Sequence, residues 1–282
     1  MADEEPKSLF QKLGAAMPIA LTAIATAFAG LSSSEMSRAM FWRSVAAQDQ
    51  AKAGSQWGFA GSKRDRSMMA ENTATMLRAV AGNPETTPIA ETPTPGIVER
   101  IREWMQSPEA NPPPVYDTLI PPLNSILRRD PEKESVKLAG KIADYDLDAA
   151  INDGHTEANA VEKAWETEAK TVREAAAKEK KELRTALLAR QSDVDVRHYR
   201  AESTMNFWLG YLYEVRVKTS TFQSERHRIR SENFFYAMLG AQIGATIAAL
   251  ALARRTGNVL WFLAGIAGIV AVAFGAYVYL TL

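Results

Sequence analysis

Asp144, Asp146 and Asp148 stand at alternate positions, the spacing with which an EF-hand calcium loop begins. Such a loop needs Gly at its sixth place for a sharp turn and Glu at its twelfth as a bidentate ligand. Here those places hold Ala149 and His155, so the triplet reads as the charged surface of a helix. The three histidines, His155, His198 and His227, lie far apart and form no HExxH pair, which argues against a zinc site. There is no cysteine to act as nucleophile, thiolate ligand or disulfide partner. No phosphate-cradling loop, dinucleotide fingerprint or nucleophile elbow occurs. Ser32-Ser33-Ser34 reads as an interfacial turn or helix end rather than a nucleophile. These residues predict a protein that is not an enzyme and carries no cofactor or metal.

The elements that hold these residues are set by charge and apolar patterning. Lys and Arg total 33, as do Asp and Glu, so the chain lacks the basic excess that tracking a nucleic-acid backbone requires. Its mean hydropathy of -0.20 hides a segregation. The stretches 13–34, 233–253 and 259–282 are apolar or nearly free of charge, and each is long enough to cross a bilayer, which takes about 20 residues. The last two are separated only by the loop 254–258, a hairpin tip with Gly257 as helix cap. Phe234, Phe235, Tyr236, Trp261, Phe262, Tyr277 and Tyr279 lie near span ends, where aromatic rings anchor at the headgroup level. Ala27-Phe28-Ala29 has the small-x-small pattern of a signal-peptidase site. A cleaved leader is therefore the alternative to a retained first span, which the acidic Asp3, Glu4 and Glu5 favour.

Small residues recur on all three spans: Ala20, Ala23, Ala27 and Gly30 on the first, Gly240-x-x-x-Gly244 on the second, and Ala267, Gly268, Ala271 and Gly275 on the third. In lipid, helices associate by close packing, which such residues permit. Gln242, a mid-span amide, is expected to bond across helices. Arg254 and Arg255 in the short loop place it in the cytoplasm and the polar region outside, by the positive-inside rule; Arg38, Arg43, Arg226, Arg228 and Arg230 argue the reverse. Arg226, Arg228, Arg230, Arg254 and Arg255 are candidate contacts for anionic lipid headgroups, the alternative for Arg226, Arg228 and Arg230 being helix charge paired with Glu225 and Glu232.

The polar region divides into a long helix at 35–83, a proline-rich connector at 84–131 and a helical stalk at 132–232, with a short tail at 1–12. Ala47, Ala51, Gly54, Gly58 and Gly61 form a small stripe on the first helix. Glycine inside a helix costs about 1 kcal/mol relative to Ala, so the stripe predicts a closely passing neighbour, the alternative being a locally weak or broken helix. Eleven of the 13 prolines fall in the connector, which a long helix cannot traverse; one short helix, 96–106, is expected there. Gly154 marks an expected bend. From Thr156 to Glu232 apolar residues recur every three or four positions, from Val161 and Trp165 to Phe222 and Ile229, predicting one continuous helix with a coiled-coil-like seam, on the order of 100 Å long. The fold class is all-α: three transmembrane helices and a long antiparallel helical stalk.

The Ala-rich first span with Ser34-Glu35-Met36, the stretch Ala53–Lys63 around Trp57, and the closing hairpin with Arg254-Arg255 and Trp261-Phe262 together resemble an uncharacterised bacterial membrane family, domain of unknown function 4337. The likeness covers roughly 10–80 and 200–282. Where the family pattern continues with Tyr-Gln-Ala-Lys, this chain has Phe59-Ala60-Gly61-Ser62-Lys63. The resemblance implies a bacterial inner-membrane location, no known activity, and Trp57 and Lys63 as family-typical positions. The expected function is a self-associating structural or scaffold component, partnered by the bilayer and by copies of itself or other subunits, with no nucleic acid. The alternatives are a membrane signalling module and an accessory subunit of a transporter or channel.

Overall fold

The computed structural model describes residues 9–81, 117–178, 181–254 and 258–281, and these are almost entirely helical. The expected tip residues Arg255 and Gly257, the helix at 96–106 and most of the proline-rich connector lie outside the described residues. Among the described residues six α-helices follow in order: α1 (Leu9–Ala81), α2 (Ile120–Leu127), α3 (Glu132–Ala139), α4 (Asp144–Ala177), α5 (Lys181–Arg254) and α6 (Asn258–Thr281), with a 3-10 turn at Asp117–Leu119. The chain forms two compact units, Met1–Val45 with Ser220–Leu282, and Ala46–Thr219.

The first unit packs the apolar stretches of α1, α5 and α6. Leu21 of α1 is buried with Ala248 of α5 and Ala264 of α6, flanked by Met17, Ile24 and Trp261; Ala25, Ala241 and Ala271 form a second knot. α1, α5 and α6 are each long and apolar enough to cross a membrane. Their outward side chains, including Ile19, Ile243, Leu250, Ile269 and Leu280, are exposed. In water that surface would cost roughly 25 cal/mol per Å², a penalty absent in hydrocarbon. Pro18 lies inside α1, as prolines in membrane helices often do.

The second unit is built on a core of Ala53, Leu119, Leu123, Ile142, Leu147, Ile151, Trp208, Leu209 and Leu212. Pro121 and Pro122 occupy the first turn of α2, where a missing amide hydrogen costs nothing. α2 ends with Arg129 in the left-handed region (φ 58°), while Asp130 N–H donates to Ser125 O at 3.0 Å. α3 docks on α5 through Thr219 Oγ1, which donates to Ala139 O at 3.2 Å.

The single helix expected from Thr156 to Glu232 is instead two. α4 ends at Ala177, Lys178 is a turn, and α5 starts at Lys181. α4 packs back antiparallel on α5, with His155 near Tyr213 and Trp165 near His198. The segment 174–182 is all good helix formers, so local propensity gives no sign of the reversal. Burying Val161, Ala169, Val172 and Ala176 of α4 decides it, as tertiary packing routinely overrides propensity. Gly154 is no bend: it sits within α4, and Leu209 Cδ2 lies 2.8 Å from where its Cβ would be.

Candidate functional site

The residues that join α1 to α5 are small and recur every seven positions. In the second unit Ala46, Ala53, Ala60, Ser67 and Ala74 are all buried. Ser203 Oγ donates to Ala60 O at 2.8 Å, and Ser67 Oγ donates to Val196 O at 3.4 Å. Each step of seven along α1 thus meets an equal step backward along α5. The first unit repeats the pattern: Ser224 Oγ donates to Ala39 O at 2.9 Å, and Ser32 and Ser231 each donate to the other's carbonyl, at 2.9 and 2.8 Å. A serine hydroxyl reaches a neighbouring helix's carbonyl only when the backbones are close, which Ala and Ser allow.

Polar and charged side chains fill the flanking positions. Lys63 Nζ lies 2.6 Å from Glu202 Oε2, and His198 Nε2 lies 2.9 Å from the same oxygen. The His198 ring stacks on Trp165 (4.2 Å, 16°), whose Nε1 donates to Asp195 at 3.0 Å. α1, α4 and α5 are thereby joined by one polar network. His198 is buried, and its Nδ1 has no hydrogen-bond partner among the described residues. Burial is the largest single influence on Glu202 and raises its pKa, but the hydrogen bonds and charges of His198 and Lys63 outweigh it, leaving the carboxyl below its ordinary value. Glu214 shows the reverse: burial raises it, and Lys218 offsets only part.

Asp49 is 2% exposed and is held by two groups. Lys52 Nζ is 2.9 Å from Oδ1, and Arg216 Nε is 3.3 Å from Oδ2. Arg216 also reaches Asp148 Oδ1 at 2.7 Å. Asp146 accepts from Thr118 Oγ1 at 3.2 Å, so the aspartates of the Asp-x-Asp-x-Asp run face separate partners. In the first unit Glu35 is buried with its Oε2 2.5 Å from His227 Nδ1. The arrangement is suited to holding helices together: Asp49 and Glu202 each face a cationic side chain and Glu35 faces His227, as burial of charge demands, while Asp49 Oδ2 accepts no hydrogen bond among the described residues.

The residues singled out for helix packing fall into two groups. Gly240 and Gly244 of α5 face α6, with Ala271 Cβ and Ala267 Cβ at 3.5 and 3.3 Å from the space a Cβ would fill. Gly268 faces Leu21 at 2.6 Å, and Gly275 faces the Phe28 ring. Gly54, Gly58 and Gly61, in contrast, have nothing within 4 Å of that space. Within the chain, the expected neighbouring helix passes Ala53 and Ala60 instead. Trp57 fills the space left by Gly210 and meets Tyr211 edge-on at 6.2 Å. Lys63 enters the Glu202 network described above.

Among the basic residues, Arg228 pairs with Glu225 and Glu232. Its hydrogen bonds to Glu225 hold that carboxyl low and its own pKa high. Arg226 and Arg254 are exposed, and Arg230 is half-buried. Gln242, expected to bond across the helices of the chain, is exposed on the outward side of α5. Sequence reading missed Asp49, His198, Glu202 and Arg216. The available signal was the seven-residue recurrence of Ala and Ser on α1, which places Asp49, Gln56 and Lys63 on the inward face.

No protein-family model matches the chain, and neither a curated protein nor a solved structure does.

Proposed function

We propose that this chain is a non-enzymatic membrane scaffold that associates with copies of itself or with other subunits of a larger complex. The observation that carries this reading is the face α1 leaves open in the second unit. Phe59, Met68, Met69, Met76 and Val80 are each at least half exposed there, on a stretch charged enough to stand in water. Gly54 and Gly58 are open beside them. Large apolar groups gathered on one helix mark an interaction surface, and the glycines lower the barrier to close approach.

In this reading the charged stretches of α1 and α5 form an antiparallel coiled-coil-like stalk, its register kept by the serine–carbonyl bonds. Buried polar pairs suit that role, because they specify register more than they add stability. The location is the bacterial inner membrane, with the polar region periplasmic, supported by the likeness to the uncharacterised family and by Arg254-Arg255 at the short loop. A transporter-subunit role has less support: Gln242 faces away from the α5–α6 contact, which is built of Gly and Ala.

Native mass spectrometry of the full chain released from its membranes tests the proposal. An oligomer, or a stoichiometric co-purifying partner, supports it; a strict monomer alone defeats it.

A further inference from the structure

We propose that two copies of this chain meet within the bilayer along the outward face of α5, with their Gln242 side-chain amides hydrogen-bonded to each other. The proposal rests on the self-association put forward above and names its membrane face. Gln242 sits at the middle of the apolar stretch 233–253 and is exposed. At 1.5 Å per residue it lies about 14 Å from one end and about 17 Å from the other, beyond the reach of a glutamine side chain toward water. An unsatisfied amide in hydrocarbon costs several kcal/mol.

The exposed threonines described in these stretches are satisfied within their own helix. Thr22 Oγ1 donates to Pro18 O, Thr26 Oγ1 to Thr22 O, and Thr246 Oγ1 to Gln242 O, all at 2.8 to 2.9 Å. A hydroxyl turned back on its helix is tolerated in lipid. A primary amide carries two donors and an acceptor, and among the described residues no hydrogen bond reaches that of Gln242.

A second copy is the occupant that the chemistry selects. An amide is self-complementary, and neutral partners avoid placing a charge in the membrane. Copies inserted in the same orientation hold Gln242 at the same depth, so a two-fold axis brings like residue to like residue. The surrounding face, Leu239, Thr246 and Ala249, is exposed and modest in size.

The chain has no cysteine, so single cysteines report without background. Leu239→Cys and Thr246→Cys are oxidised in native membrane vesicles, with Ile269→Cys on the exposed side of α6 as control. Disulfide-linked dimers at 239 and 246 but not at 269 are expected. Adding Gln242→Leu is expected to lower the linked fraction's association constant about three- to tenfold, with Gln242→Asn retaining more. Linking at 269 but not at 239 or 246 overturns the proposed face while leaving self-association standing. Efficient linking that Gln242→Leu does not change overturns the amide's role. No linking at any site, with a monomer by native mass, overturns both readings.

Discussion

The glycines of α5 and α6 in the first unit and those of α1 in the second sit in opposite surroundings. In the apolar unit, glycines are where a neighbouring side chain sits: Leu21 against Gly268, Phe28 against Gly275, Ala267 against Gly244. In the charged unit, three glycines of α1 lie open, and alanine and serine make the contact with α5. Residue type alone therefore does not tell which face of a helix is covered. The seven-residue register does, because it holds through both Ala60–Ser203 and Ser67–Val196.

The comparison breaks most sharply at the charges beside that register. Arg216→Ala leaves the buried Asp49 with Lys52 as its remaining partner, and is expected to cost about 1–3 kcal/mol, less than the full loss of a buried pair because Lys52 stays and Arg216 is partly exposed. Thermal unfolding in detergent, followed by Trp fluorescence, measures it; an unchanged midpoint would mean that Asp49 is hydrated.

Gly210→Ala comes next. The added methyl overlaps the Trp57 indole, and overpacking of this kind costs about 2 kcal/mol. Trp57→Leu in the same chain is expected to restore part of that loss, which a double-mutant cycle would read as coupling.

Two half-buried carboxyls then give opposite pH responses. The lowered Glu202 contributes stability that is present above its unfolded value of 4.5 and lost as pH falls through its folded pKa. The raised Glu214 contributes below 4.5 and loses that contribution as pH rises through its folded pKa. Glu202→Gln should therefore lower the unfolding midpoint at pH 7, an effect that fades as pH falls from 4.5 through the folded pKa of Glu202. Glu214→Gln should raise the midpoint at pH 7. Like signs for the two at pH 7 would contradict the assigned environments.

The smallest effect belongs to the open face. Gly58→Ala should stabilise the dispersed chain by about 0.5–1 kcal/mol of helix propensity and raise its unfolding midpoint accordingly. The same change should weaken association if that face meets another subunit. A lowered midpoint would mean that the face is covered within the chain.

Much of the apolar unit was legible from the residues. A stretch of about 20 uncharged residues has few uses besides crossing a bilayer, and α1 runs from its apolar stretch into its charged one as the absence of proline between Glu35 and Ala81 predicts. The reversal after Ala177 was not legible, since 174–182 favours helix and only long-range burial turns the chain. The apolar periodicity read on 161–229 was real, but it belongs to two facing helices. The polar network was hidden for another reason. Asp49, Lys63 and Glu202 look like solvated helix charge until the Ala and Ser recurrence reveals which face they share.

The antiparallel pairing of α1 with α5 is what the rest depends on, and a paired-cysteine measurement addresses it directly. Ala60→Cys with Ser203→Cys in the otherwise cysteine-free full chain should form an intramolecular disulfide under mild oxidation, because Ser203 reaches the Ala60 carbonyl at 2.8 Å. Gly58→Cys with Ser203→Cys should not. Equal or preferred bridging from position 58 would show that α1 presents its other face to α5, and would contradict the register described.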